Sequence, residues 1–149
     1  MRKDIPFPQA DDFEKIISVI NADKPQYFND NLYLSSILEN VTERQVSYYL
    51  SACMYLGLID KNRSFTEQGI KIRSLSSYRQ TVEIIRILLS DSIFGTVYIT
   101  EKTLGVKLDK NDVIEIIKIE YPSYSEEIYN RRYQTVRKWV NWIESKLNN

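Results

Sequence analysis

Apolar residues recur along this chain at intervals of three and four. Phe13, Ile16, Ile17 and Ile20 stand at i, i+3, i+4 and i+7 and predict a first helix, capped by Asp11 or Asp12 and ended before Lys24-Pro25. Asn29 to Asn31 open a shorter helix with Leu34, Ile37 and Leu38 on one face, and Val41 falls in the turn to Thr42. Thr42 and Gln45 then form an S/T-x-x-E/Q capping box, so a third helix starts at Glu43. On its helical projection Val46, Leu50, Cys53, Met54 and Gly57 share one face, while Arg44, Tyr48, Ser51 and Tyr55 share the opposite one. Gly57 supplies the left-handed residue that ends it. Leu58-Ile59-Asp60 and Ser64-Phe65-Thr66 read as two short strands around a Lys61-Asn62-Arg63 turn.

Thr66 caps a further segment through Ile70, Ile72 and Leu75, with Gly69 weakening its interior. Ser77 and Gln80 read as a second capping box, ahead of an apolar helix bearing Val82, Ile85, Leu88 and Leu89. Phe94 to Thr100 reads as a turn and a short strand, and Asp109 caps a helix carrying Val113, Ile116 and Ile117, broken at Tyr121-Pro122-Ser123. The longest helix runs from about Ser125 to Leu147. Tyr129, Val136, Trp139, Val140, Ile143 and Leu147 form its apolar face; Asn130, Arg131, Gln134, Lys138 and Asn141 form its polar one.

The order helix, helix, turn, helix, hairpin is that of a winged helix. The expected fold is mostly α with a small β wing, arranged as tandem winged-helix or helix-turn-helix units over residues 1–76 and 77–149. The second unit shows no wing pattern after its last helix.

Arg44, Gln45, Tyr48, Tyr49, Ala52, Tyr55, Leu56, Gly57 and Leu58, followed by Thr66 and Gly69, carry a resemblance. In this order they resemble the winged-helix modules associated with bacterial restriction–modification proteins and restriction endonucleases. The stretch from Ile128 to Ile143, IYNRRYQTVRKWVNWI, is similar to a later helix of the same proteins. The resemblance implies a DNA-binding module and leaves its biological role open.

The composition of this 149-residue chain, 43% hydrophobic and 27% charged, is that of a folded protein. Its 20 basic residues are balanced by 20 acidic ones, so any DNA contact must come from a local patch rather than from bulk charge. Arg131, Arg132, Arg137, Lys138 and Lys146 on the last helix are such a patch, with Glu144 the acid among them. The lone Cys53 on an apolar face reads as a core residue. No apolar leader pattern stands at Met1 to Pro6 and no run reaches bilayer length, so a cytoplasmic location and no membrane partner are expected.

The residues expected to contact DNA are Arg44, Gln45, Tyr48 and Ser51 on the third helix, Lys61 and Arg63 at the wing tip, and Arg131, Gln134, Arg137 and Lys138 on the last helix. Arg bridges guanine O6 and N7, Gln pairs with adenine, and Tyr and Lys reach phosphates. Each has a structural alternative. Gln45 is open to consumption by its capping box, Arg44 to solvation or pairing with Glu43 or Asp60, and the tyrosines to packing or a two-fold contact through Tyr48, Ala52 and Tyr55. Wing cations commonly serve solubility, and a charge stripe is usually a solvated face. Arg132, near the apolar face, reads as a snorkelling or paired side chain.

Without His, neither a Ser-His-Asp nor a Cys-His arrangement exists, and zinc sites of the usual kind lack ligands. The 4 glycines form no phosphate loop, and the Glu115 to Lys118 spacing does not match a nuclease Glu-x-Lys. The expectation is a non-enzymatic protein without cofactor or metal that binds double-stranded DNA, as a restriction–modification accessory or a transcriptional regulator. The alternative is a protein-interaction module that dimerises or docks on a partner subunit without touching DNA.

Overall fold

Helix starts along the chain coincide with short polar side chains that take up free backbone N–H groups. The computed structural model describes residues 5–148. Its helices are α1 (Phe13–Ile20), α2 (Asn31–Leu38), α3 (Glu43–Tyr55), α4 (Glu67–Arg73), α5 (Ser77–Ser90), α6 (Phe94–Leu104), α7 (Lys110–Glu120) and α8 (Glu126–Leu147). Asp12, Asp30, Thr42, Thr66, Asp109 and Ser125 each accept a hydrogen bond from a first-turn amide of the helix they precede. At α3 both halves of the Thr42–Gln45 capping box are formed. The leader expectation falls largely on residues 1–4, and the end of the second unit on residue 149, all outside the described range.

The fold is mostly α, as its periodicity predicts. The core runs through both halves of the chain and is centred on aromatic rings. Phe7 stacks on Phe94 with centroids 5.2 Å apart and meets Tyr55 and Tyr121 edge-on. Phe94 stacks on Trp139 at 4.5 Å, and Phe13 stacks on Trp142 at 4.2 Å. The segment before α1 therefore acts as a strap between α3 and α8. Trp139 Nε1 donates to the Ala10 carbonyl at 2.6 Å, and the Asp12 amide donates to Tyr49 Oη at 3.3 Å. Cys53 lies in this core, and burial pushes its thiol up to about 12.

Several expectations are corrected. No strand forms among the described residues. Where the wing was expected, Ile59 and Phe65 make one isolated bridge, flanked by bonds from Asp60 N to Ser64 O and from Thr66 N to Leu58 O. Pairing stops there because Thr66 already caps α4, which lies directly against this turn. A Cβ on Gly69 would stand 2.1 Å from the Leu58 carbonyl oxygen, so this glycine permits the approach. A two-stranded pair without a third strand also has little to stabilise it.

The strand expected from Phe94 to Thr100 is instead most of α6. Phe94, Val97 and Tyr98 are its buried residues, at helical spacing, and the buried carboxylate of Asp91 accepts from the Ile93 and Phe94 amides. The capping box expected at Ser77 and Gln80 does not form. Ser76 caps α5, and Gln80 is buried in a reciprocal amide pair with Asn21. Tyr55 and Ala52, expected on the outer face of α3, are buried, because the strap and α6 cover the C-terminal half of that helix. Leu147, expected on the apolar face of α8, is exposed. Among the described residues no helix is long and apolar enough to cross a membrane.

Candidate nucleic-acid interface

The N-terminal half of α3 escapes the cover that buries Tyr55, and so keeps its polar face. Arg44 is exposed and its Nε donates to Tyr48 Oη at 2.8 Å, one turn further along the helix. Gln45 is held by the capping box, its Oε1 accepting from Thr42 N at 2.9 Å. Ser51 is half-buried on the same helix.

On α8, Gln134 and Lys138 are exposed and Arg131 is half-buried. Arg131 is anchored to the strap: its guanidinium lies 3.1 Å from Asp11 Oδ2 and also donates to the Gln9 carbonyl. Thr135 Oγ1 donates to the same Asp11 carboxylate at 2.7 Å. Arg137 points elsewhere in its bonding. It grips Glu101 of α6 through two hydrogen bonds of 3.0 and 2.8 Å. The Glu101 carboxylate raises the Arg137 guanidinium above its ordinary value despite burial. For Glu101, burial works upward, and the bonds from Arg137 and the Leu108 amide outweigh it to hold the carboxyl below its ordinary value.

At the turn after α3, Lys61 is exposed, whereas Arg63 is half-buried with its Nη1 donating to the Phe28 carbonyl at 2.9 Å. Arg63 sits at φ 62°, in the left-handed region, which closes the turn where a strand was expected to restart. Gln45, Arg63, Arg131 and Arg137 are thus engaged in structural bonds, while Arg44, Lys61, Gln134 and Lys138 are exposed and Tyr48 is half-buried.

The strap brings the two helices together. Arg44 and Tyr48 of α3 and Arg131 and Gln134 of α8 line one open groove of about 520 Å³. Ser51, Lys61 and Lys138 are not part of its lining. The groove also contains a residue that the sequence reading did not count as functional, Arg132. It is only 8% exposed, its Nε has no hydrogen-bond partner, and its guanidinium lies 5.3 Å from the centre of the Tyr124 ring. Burial depresses its pKa below the ordinary guanidinium value. Glu127, exposed, is the carboxylate in the lining. The arrangement is a guanidinium-rich notch with a phenol and an amide beside it, chemistry that suits a phosphate oxygen. The sequence signal for Arg132 was present: an arginine on an apolar face with no acid three or four residues away on its own helix.

The family described as a domain of unknown function (DUF7226) matches residues 26–148. No curated protein and no solved structure matches the chain.

Proposed function

This chain belongs to the DUF7226 family, and on that premise we propose that it is a non-enzymatic, double-stranded DNA-binding protein. One observation carries the reading: Arg44 and Tyr48 meet Arg131 and Gln134 in a single groove, although they come from opposite halves of the sequence. A protein whose charges balance overall needs such local convergence to hold a polyanion. In this reading the α1–α3 unit and its turn work as a winged helix without a formed wing, and α5–α8 as a second helical unit. The N-terminal half of α3 approaches the major groove, and Arg131, Lys138 and Lys61 contact backbone phosphates. The role follows the resemblance: a cytoplasmic accessory of bacterial restriction–modification, or a transcriptional regulator.

The test is selection of a preferred duplex, followed by binding of that duplex and a scrambled one to Arg44→Ala. Readout by Arg44 predicts a loss of about 1–3 kcal/mol on the preferred duplex alone. Equal losses on both duplexes leave Arg44 with a phosphate contact alone and remove its base readout, and no binding of either duplex by the parent protein ends the reading.

A second reading, a protein-interaction module, has its own observation. Between α4 and α5 lies a groove of about 1050 Å³ in which Tyr78, 78% exposed, accompanies Leu75 and Val82. Glu67 and Glu83 face this groove together with Lys71, Arg79 and Arg86. Such mixed charge suits contact with a second copy of the chain about a two-fold axis. Sedimentation equilibrium of Tyr78→Ser beside the parent protein separates the readings: a dimer lost in the variant supports this one, and a monomer in both removes it.

A further inference from the structure

Arg132 has the surroundings of a binding residue and lacks those of a structural one. A buried guanidinium that holds a fold together is normally saturated with hydrogen bonds, because an unpaired buried charge is costly. Arg137 meets that condition through Glu101 and the Leu108 carbonyl. Arg132 does not: it is 8% exposed, its Nε is unpartnered, and it lines the open groove beside Arg44, Arg131 and Tyr48. Tyr124 lies against its guanidinium, with the ring centre 5.3 Å away, and shares a hydrogen bond with it, which leaves Nε as the donor without a partner.

We propose that this groove is a phosphate-binding site, with Arg132 at its floor as the principal donor and Arg44 and Tyr48 closing over the anion. The assignment rests on the reading of this groove as the contact surface and adds the ligand group and the residue that seats it. Phosphate fits better than an apolar ligand because the lining offers fork-shaped donors and a hydroxyl, and a volume of about 520 Å³ accommodates a group larger than the anion alone. Two carboxylates moderate the site: Asp11, already bound to Arg131 and Thr135, and Glu127 in the lining. Tyr48 Oη accepts from Arg44 Nε, which leaves its own proton for the ligand. The phosphate belongs either to a DNA backbone or to a free phosphate monoester, and the two sources share this chemistry.

The experiment is an NMR titration of the full chain with inorganic phosphate at constant ionic strength, following the arginine Nε–Hε resonances. The site predicts a saturable shift of the Arg132 resonance. In Arg132→Met, phosphate affinity falls about tenfold or more, the worth of a charged hydrogen bond, while the melting temperature stays level or rises because a buried charge with no carboxylate partner among the described residues and an unpartnered Nε is gone. Arg44→Ala, an exposed change, lowers affinity by a smaller factor and serves if the Met variant does not fold. Absence of a saturable shift in the parent protein, or phosphate binding unchanged in both variants, overturns the proposal. A labelled duplex added to the phosphate complex separates the sources. Displacement of phosphate assigns the site to the DNA backbone, and joint binding assigns it to a free phosphate ester. Phosphate binding without duplex binding upholds the site and removes the DNA reading; duplex binding with no phosphate response and no effect of Arg132→Met does the reverse.

Discussion

Arg132 and Arg137 lie little more than one turn apart on α8, and their surroundings differ in the way that separates binding from scaffolding. The Arg137 corner is complete. Two hydrogen bonds to Glu101, and the Leu108 amide on the same carboxylate, join α6, α8 and the loop before α7. The Arg132 groove is incomplete: a buried guanidinium faces an open volume, with Nε unpartnered and no ion pair among the described residues. A buried charge with full partners resists removal, whereas one without them is a cost that stability alone does not explain. Strain of that kind is characteristic of sites kept for a ligand.

The comparison breaks most completely at the element both regions share. Trp139 is fully buried, stacked on Phe94, and bonded to the Ala10 carbonyl that ties the strap to α8. Trp139→Ala should destabilise the fold by about 3–5 kcal/mol in urea denaturation and abolish any groove binding with it. Next in size is Arg137→Met, which leaves the Glu101 carboxylate, 11% exposed, without its partner and should cost about 3 kcal/mol. The matching change at Arg132 should cost nothing, and similar losses at the two positions would erase the distinction drawn between them.

The Arg137 corner should also set an acid limit. Glu101 is held below its ordinary value, so the pair contributes fully above the unfolded glutamate value of about 4.3. That contribution is lost as pH falls through the lower folded value, and a pH series of melting temperatures should show a steeper acid decline in the parent than in Arg137→Met. The smallest effect is at the turn. Lys61 is exposed, so Lys61→Ala should leave stability within about 0.5 kcal/mol and lower the log–log salt slope of duplex binding by about one unit.

Where a helix combines a polar cap with an apolar period, the sequence predicted it well. Asp12, Thr42, Thr66, Asp109 and Ser125 head helices as their spacing implied. Failures came where tertiary contacts override the local pattern. Phe94 to Thr100 contains glycine and β-branched residues that favour a strand, yet the buried Asp91 carboxylate starts a helix there. That misreading hid Glu101, and with it the partner of Arg137. The turn around Lys61 had strand chemistry, but α4 packs too closely for pairing to extend. Tyr55 lay on the polar face of α3 by periodicity, and only the strap and α6 bury it. The meeting of Arg44 with Arg131 depends on Asp11 and Gln9 anchoring α8, which no local pattern encodes.

The most direct test of the central claim is a fluorescence-anisotropy titration of a labelled random-sequence duplex across a salt series. The account predicts saturable binding at low salt with log affinity falling linearly against log salt, as a handful of phosphate contacts requires. Absence of binding at the lowest salt, or binding with no salt dependence, would contradict it.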